Sequence, residues 1–201
     1  SGDWSSDVCS SDLDTFQQAS MFESVRVVRE PKQGSNAARH RGAIEAAGDL
    51  FVFMDADCIP PEDILERTVS YFDTHSPAGL SGLYRFYDAK PFTRWWTLAL
   101  QGLSIRGGNW LLQALGLGAL GVGGYFVTTR DNYFSVDGFD TDLNLYGDDI
   151  DMACRLAKRG PFAFPRGMVI DSSYRRFHDG GFWQTIWWYL GAVSSILLKR
   201  K

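Results

Sequence analysis

Two groups of carboxylates carry the chemistry that this sequence can do. Asp55-Ala-Asp57 directly follows the apolar run Leu50-Phe-Val-Phe-Met54. Alternate residues leaving a strand end can address one ion, and hard divalent cations such as Mg2+ or Mn2+ take carboxylate oxygens while keeping room for phosphate. The placement predicts a metal–diphosphate site at Asp55 and Asp57, although the same triplet also serves as a turn or cap. The second group is Gly147-Asp-Asp-Ile-Asp151, with Arg155 beyond it. Acids at a helix start are favoured by the helix dipole, and Asp151 with Arg155 has ordinary i,i+4 salt-bridge spacing. Asp148 and Asp149 fit that explanation less well, because adjacent carboxylates repel unless one is neutral, metal-bound or poised as a base.

Positioning these acids requires a sheet edge and a helix start. Val25 to Arg29 alternates apolar and basic residues, as a short strand does, and Pro31 to Gly34 is turn chemistry. A helix is predicted next, with Ser35 as N-cap, Ala37, Ala38, Ala43, Ile44 and Ala47 at helical spacing, and Gly48 at its end. Leu50 to Met54 then reads as a strand buried on both faces of a parallel sheet. Strand, helix and buried strand make a βαβ unit, whose ligands bind at the carboxyl ends of the strands. Further on, the pattern predicts a helix opened by Pro61 and running to about His75, a strand over Gly79 to Tyr87, and a long apolar helix or helix pair over Pro91 to Leu115. Helices are also predicted over Thr129 to Val136, Gly147 to Lys158 and Gly181 to Leu198.

The chain has 201 residues, 45% of them hydrophobic and 22% charged, which suits one globular domain and excludes disorder or a disulfide scaffold. Twenty basic against 24 acidic residues give −4, which argues against nucleic-acid binding by counterion release. Ser1 to Leu13 (SGDWSSDVCSSDL) repeats Ser-Ser-Asp and has neither a basic start nor an apolar run, so it is read as a non-native leader over residues 1–13 and not as a signal peptide. Without its three Asp the remainder, residues 14–201, is almost neutral. Cys58 and Cys154 read as small buried residues of a reducing compartment.

The sequence resembles the family 2 glycosyltransferases of the GT-A fold. Ala38-Arg-His-Arg-Gly42 looks like the family's ARNxG helix, Phe53-Met-Asp-Ala-Asp57 like its DxD strand, Val136-Asp-Gly-Phe-Asp140 like its GGFD turn, and Gly147-Asp-Asp-Ile-Asp151 like its acidic motif. The resemblance implies an α/β, Rossmann-like, mixed and mainly parallel sheet flanked by helices, missing its first β/α elements. It implies a metal-dependent, inverting transfer of sugar from a nucleotide-diphosphate sugar to an acceptor hydroxyl, in glycan or polysaccharide synthesis. By it, Asp57 and Asp55 would bind Mn2+ or Mg2+, with Asp55 also near the donor, and Arg39 would contact the nucleotide. Asp149 would be the base, with Asp148 beside it. Ser173, Arg175 and Arg176 would lie near the diphosphate, and His178 would be a further metal ligand. Asp137 stands where the family more often has Gly, and His40 where it has Asn.

Two other readings stand beside it. A strand followed by DxD also occurs in haloacid-dehalogenase-like phosphatases, with Asp55 as nucleophile, but there it opens the fold, and Cys58-Ile-Pro-Pro61 fits that pattern poorly. A non-catalytic nucleotide-sugar-binding fragment is the third reading. Trp95, Trp96 and Trp110, and later Trp183, Trp187 and Trp188, read either as aromatic core or acceptor cleft, or as peripheral membrane contact. The acceptor expected is a glycan or a lipid-linked one, and the expected location is cytoplasmic, at the inner face of the membrane.

Overall fold

The computed structural model describes residues 4–6, 13–22, 25–142, 147–175 and 191. In chain order these form β1 (Trp4–Ser6), α1 (Leu13–Ser20), β2 (Val25–Val27), α2 (Ser35–Glu45), β3 (Leu50–Met54), α3 (Ile64–His75), β4 (Gly79–Ser81) and β5 (Leu83–Phe86). There follow α4 (Pro91–Ala114), β6 (Tyr125–Thr129), α5 (Arg130–Ser135), α6 (Asp148–Leu156), β7 (Phe162–Ala163) and β8 (Val169–Ser172). The ladder order is β3-β6-β4-β7, with β1-β2 and β5-β8 as separate pairs. The β1-β2, β4-β7 and β5-β8 pairs are parallel, while β6 runs antiparallel to both of its neighbours. The architecture is the expected mixed, mainly parallel α/β sheet flanked by helices.

β6 is the strand around which the molecule is built. Phe126 turns into one core with Phe51 and Phe53 of β3, Tyr133 of α5, Phe139, and Met152, Ala153 and Leu156 of α6. Tyr125 and Val127 face the other way, into a second core with Leu80, Ile64 and Phe72 of α3, Met168 and Ile170. Alternate residues of a strand point to opposite faces, so a strand covered on both sides reads as a continuous apolar run. That holds for Leu50 to Met54 as well, whose residues divide between the same two cores. Its partner, however, is the antiparallel β6 rather than β2, so the expected βαβ pairing of Val25–Val27 with Leu50–Met54 is not made. β2 pairs instead with β1, where backbone hydrogen bonds need no side-chain pattern over three residues.

Several expected boundaries move. Gly34, in the left-handed region at φ 131°, caps α2 without a side-chain hydrogen bond, so Ser35 is the first helical residue and not the cap. Pro61 stands in a turn before α3, and its carbonyl accepts from Ile64 N at 3.1 Å. The strand expected over Gly79 to Tyr87 breaks at Gly82, whose N–H goes to Tyr125 O, and its second half leaves for β8. Cys58 and Cys154 are buried, as expected. Trp95, Trp96 and Trp110 lie exposed on α4, so the aromatic-core reading fails for them. The expected helix over Gly181 to Leu198 lies outside the described residues, apart from Gly191.

Candidate active site

β3 delivers Asp55 to the carboxyl edge of the sheet, and a tight turn with Cys58 N donating to Asp55 O at 3.0 Å brings Asp57 round beside it. The ligand atoms of Asp55, Asp57 and Cys58 all lie within 4.8 Å of one another. Burial, chiefly, pushes the Cys58 thiol up to about 12, so it keeps its proton and packs. The donors left are two carboxylates, a hard oxygen set of the kind Mn2+ and Mg2+ prefer. The Asp57 side chain is 46% exposed, and among the described residues it pairs only with Arg175, at 3.9 Å, so its carboxylate is accessible to an ion. The two residues therefore fit the metal that the DxD implies.

Arg39 of α2 joins this edge to the second acidic group. One guanidinium nitrogen meets Asp55 Oδ1 at 2.6 Å, the other meets Asp148 Oδ2 at 2.7 Å, and the plane lies over the Phe139 ring at 5.7 Å. Burial alone would disfavour its charge, but Asp55 and Asp148, with Asp149 behind them, more than offset that and hold its pKa above the ordinary value. Arg39, expected near a nucleotide, stands as a bridge between the two carboxylate groups.

Asp148 and Asp149 open α6 after Gly147, whose φ of 115° turns the chain into the helix. Asp149 accepts from Ile150 N at 2.9 Å and from the Gly123 backbone N–H. Desolvation first, and Asp148 second, push its pKa up to about 7, against the pull of those two N–H groups and Arg39. A carboxylate poised there takes and gives a proton near neutrality. The glycine-rich strand-entry loop before β6 lies directly on it. A Cβ at Gly121 would collide with the Asp149 carbonyl carbon and oxygen, so only glycine allows the loop to sit that close. Asp151 does what its spacing suggests, pairing with Arg155 at 2.8 Å. Arg155 in turn donates to the carbonyls of Val136 and Gly138, fixing the Val136–Asp140 turn. In that turn Asp137 has φ 61°, a left-handed conformation that glycine takes freely and that Asp tolerates better than most residues.

The late segment is held by a residue that the sequence reading passed over. Asp88, just after β5, accepts from Ser173 Oγ at 2.7 Å and from Tyr174 N at 2.6 Å, and these bonds, the Ser173 one foremost, keep its carboxyl below the usual range. Ser173 is thereby turned to Asp88, and Arg175 is carried to Asp57. Asp171 is a second omission. Arg85 grips it with two bonds at 2.5 and 2.6 Å, while its backbone pairs with Ile59 just beyond the DxD turn. The β5–β8 register, Phe86 opposite Ser172, brings these partners together. No local pattern announces either contact. Arg176 and His178 lie outside the described residues.

The fold and this carboxylate edge define a glycosyltransferase domain of the GT-A class. The chain matches glycosyl transferase family 2 over residues 3–134 and belongs to that family. The match includes Arg39, Asp55 and Asp57 and ends before Asp148. It also displaces the phosphatase reading. Among solved structures, the chain is similar to a mannosyltransferase from Pyrobaculum calidifontis in complex with GDP-Man and Mn2+ (TM-score 0.57, 19% identity, 78% of this chain and 42% of that one). It is also similar to S. aureus TarS 1-349 (TM-score 0.60, 13% identity, 84% and 50%). A third is glucosyl-3-phosphoglycerate synthase from Mycobacterium tuberculosis with Mn2+, UDP-glucose and phosphoglyceric acid (TM-score 0.58, 21% identity, 96% and 66%). The chain thus spans less than two thirds of each of these proteins. No curated protein matches it.

Proposed function

We propose that this chain carries the catalytic centre of an inverting glycosyltransferase that moves a sugar from a nucleotide-diphosphate sugar to an acceptor hydroxyl. The observation that carries the reading is the Arg39 bridge, which ties Asp55 of the cation-ready pair to Asp148, beside the proton-ready Asp149, at the same sheet edge. Asp55 and Asp57 would hold Mn2+ or Mg2+, which when bound neutralises charge on the departing diphosphate. Asp149 takes the acceptor's proton as its oxygen bonds to the anomeric carbon, and the bond from that carbon to the diphosphate oxygen breaks on the opposite side, which inverts the centre. Arg175 faces the same leaving group, with Arg176 beside it in sequence and His178 as a candidate third ligand. Ser173 acts through Asp88, fixing the path of that segment.

The similar structures in complex with GDP-Man and UDP-glucose make a nucleotide-diphosphate sugar the natural donor class here. A glycan or lipid-linked acceptor, in glycan or polysaccharide synthesis at the cytoplasmic face of a membrane, completes the proposal. The test is thermal denaturation of the whole chain with UDP or GDP and Mn2+. Stabilisation that requires both, and that Asp57→Asn abolishes, supports the reading. Stabilisation that survives Asp57→Asn, or none with either nucleotide, overturns the metal–donor assignment.

A further inference from the structure

The Val136–Asp140 turn is held from two sides. From α6, Arg155 grips the carbonyls of Val136 and Gly138. On the other side Phe139 N donates to the Tyr133 hydroxyl at 3.2 Å, and that hydroxyl lies 2.9 Å from Nδ1 of His40 on α2. A phenol hydroxyl has one hydrogen to give and lone pairs to receive with. The Phe139 N–H occupies a lone pair, and the hydroxyl's own hydrogen is left to reach Nδ1, which a neutral imidazole protonated on Nε2 offers as an acceptor. Tyr133 is 0% exposed, so the direction of that bond matters: a buried hydroxyl without an acceptor is costly. Gly138, at φ 64°, closes the turn directly onto the pair, where a Cβ would stand 2.7 Å from both His40 Nδ1 and the Tyr133 ring.

What the turn supports is the Arg39 bridge. The buried Phe139 ring stands edge-on to Phe53, with centroids 5.0 Å apart, and the Arg39 guanidinium lies 5.7 Å from its centroid. The charge of Arg39 is in turn one of the influences that pull the Asp149 pKa down. Direct contacts thus run from His40 through Tyr133 and Phe139 to Arg39, and its field reaches the proton of Asp149. The surroundings of His40 agree with a neutral ring. Burial disfavours its imidazolium and holds its pKa below the ordinary value, against the pull of Glu30 from the loop before α2. Its neighbours on the helix are paired elsewhere, Arg39 with Asp55 and Asp148 and Arg41 with Glu45.

We infer that His40 is a positioning residue for the proposed reaction: its Nδ1 accepts the Tyr133 O–H, and that bond seats Phe139 under the Arg39 guanidinium. The inference deepens the transferase reading, in which Asp149 is the base, but its test needs no sugar transfer. A chain that binds no nucleotide would sink that reading and leave this one to its own readouts. The first is NMR of the imidazole nitrogens in the full chain at neutral pH, where His40 should be neutral and protonated on Nε2; an Nδ1–H tautomer or an imidazolium overturns the inference. The second is the titration of the Asp149 carboxyl carbon, also by NMR. His40→Leu removes the acceptor, and Tyr133→Phe removes the hydroxyl while keeping the buried ring. Either should raise the proton affinity of Asp149 by about threefold or more, a part of what a neighbouring cation contributes, because Arg39 is held less firmly. His40→Asn sets an amide oxygen in the place of Nδ1 and should restore the parent titration. An Asp149 titration unmoved in both His40→Leu and Tyr133→Phe, with unchanged circular dichroism, overturns the inference. So does a His40→Asn curve that follows His40→Leu, since packing of the ring rather than the Nδ1 acceptor would then be what counts.

Discussion

Asp57 and Asp149 are the same residue type at one sheet edge, and the fold gives them opposite chemistry. Asp57 sits half in solvent on a turn, with a long contact to Arg175, which leaves its carboxylate accessible to a cation. Asp149 lies under the glycine loop, next to Asp148, with a pKa near 7. The difference lies in what each is packed against: an exposed turn suits the proposed metal ligand, and a helix start under a glycine-rich loop suits the proposed proton acceptor.

The sharpest way to break this contrast is Asp149→Asn. Transfer should fall by roughly 10²–10⁴, the usual contribution of a general base, while Mn2+-dependent stabilisation by nucleotide persists; equal loss of both would remove the division of labour. The next effect is in pH. Activity should rise with pH along an acidic limb centred near 7, as Asp149 ionises. Removing Asp148, one of the causes that raise that pKa, should move the limb to lower pH in Asp148→Asn, as a pH–kcat/KM profile would show. Stability runs the other way: a carboxyl whose pKa is raised on folding stabilises most below the ordinary carboxylate range and loses that contribution as pH rises through 7. Asp149→Asn should therefore gain Tm relative to the parent chiefly above pH 7. A smaller effect is expected from Gly121→Ala, which crowds the Asp149 backbone and should cost about 1–3 kcal/mol in urea unfolding, with the acidic limb displaced and metal binding retained. The smallest is Asp137→Gly, which relieves a left-handed Asp and should stabilise by up to about 1 kcal/mol with both functions unchanged.

What the sequence disclosed follows a physical line. β3, α4 and α6 were legible because apolar runs, a leading proline and clustered acids are local signals. β6 is not among the elements expected from the sequence, although Tyr125–Thr129 is a run of aromatic and β-branched residues after Gly124, the composition of a buried strand. Asp88 and Asp171 gave no sign, because Ser173 lies 85 residues from Asp88 and Arg85 lies 86 from Asp171, and only the β5–β8 register brings them together. The DxD was visible, yet the bridge from Arg39 to Asp148, 109 residues on, was not. An apolar helix such as α4 reads as core from its composition, whereas Trp95, Trp96 and Trp110 along it are exposed.

The guanidinium of Arg39 makes the two halves of the edge one thermodynamic system. A cation drawn to Asp55 competes with Arg39 for that carboxylate, and a proton arriving on Asp149 weakens the hold on Arg39 from the other end. Ion occupancy and proton affinity are then reciprocal, each altering the other by the same factor. On the proposed reading, this one side chain links ion binding at Asp55 to the protonation of Asp149.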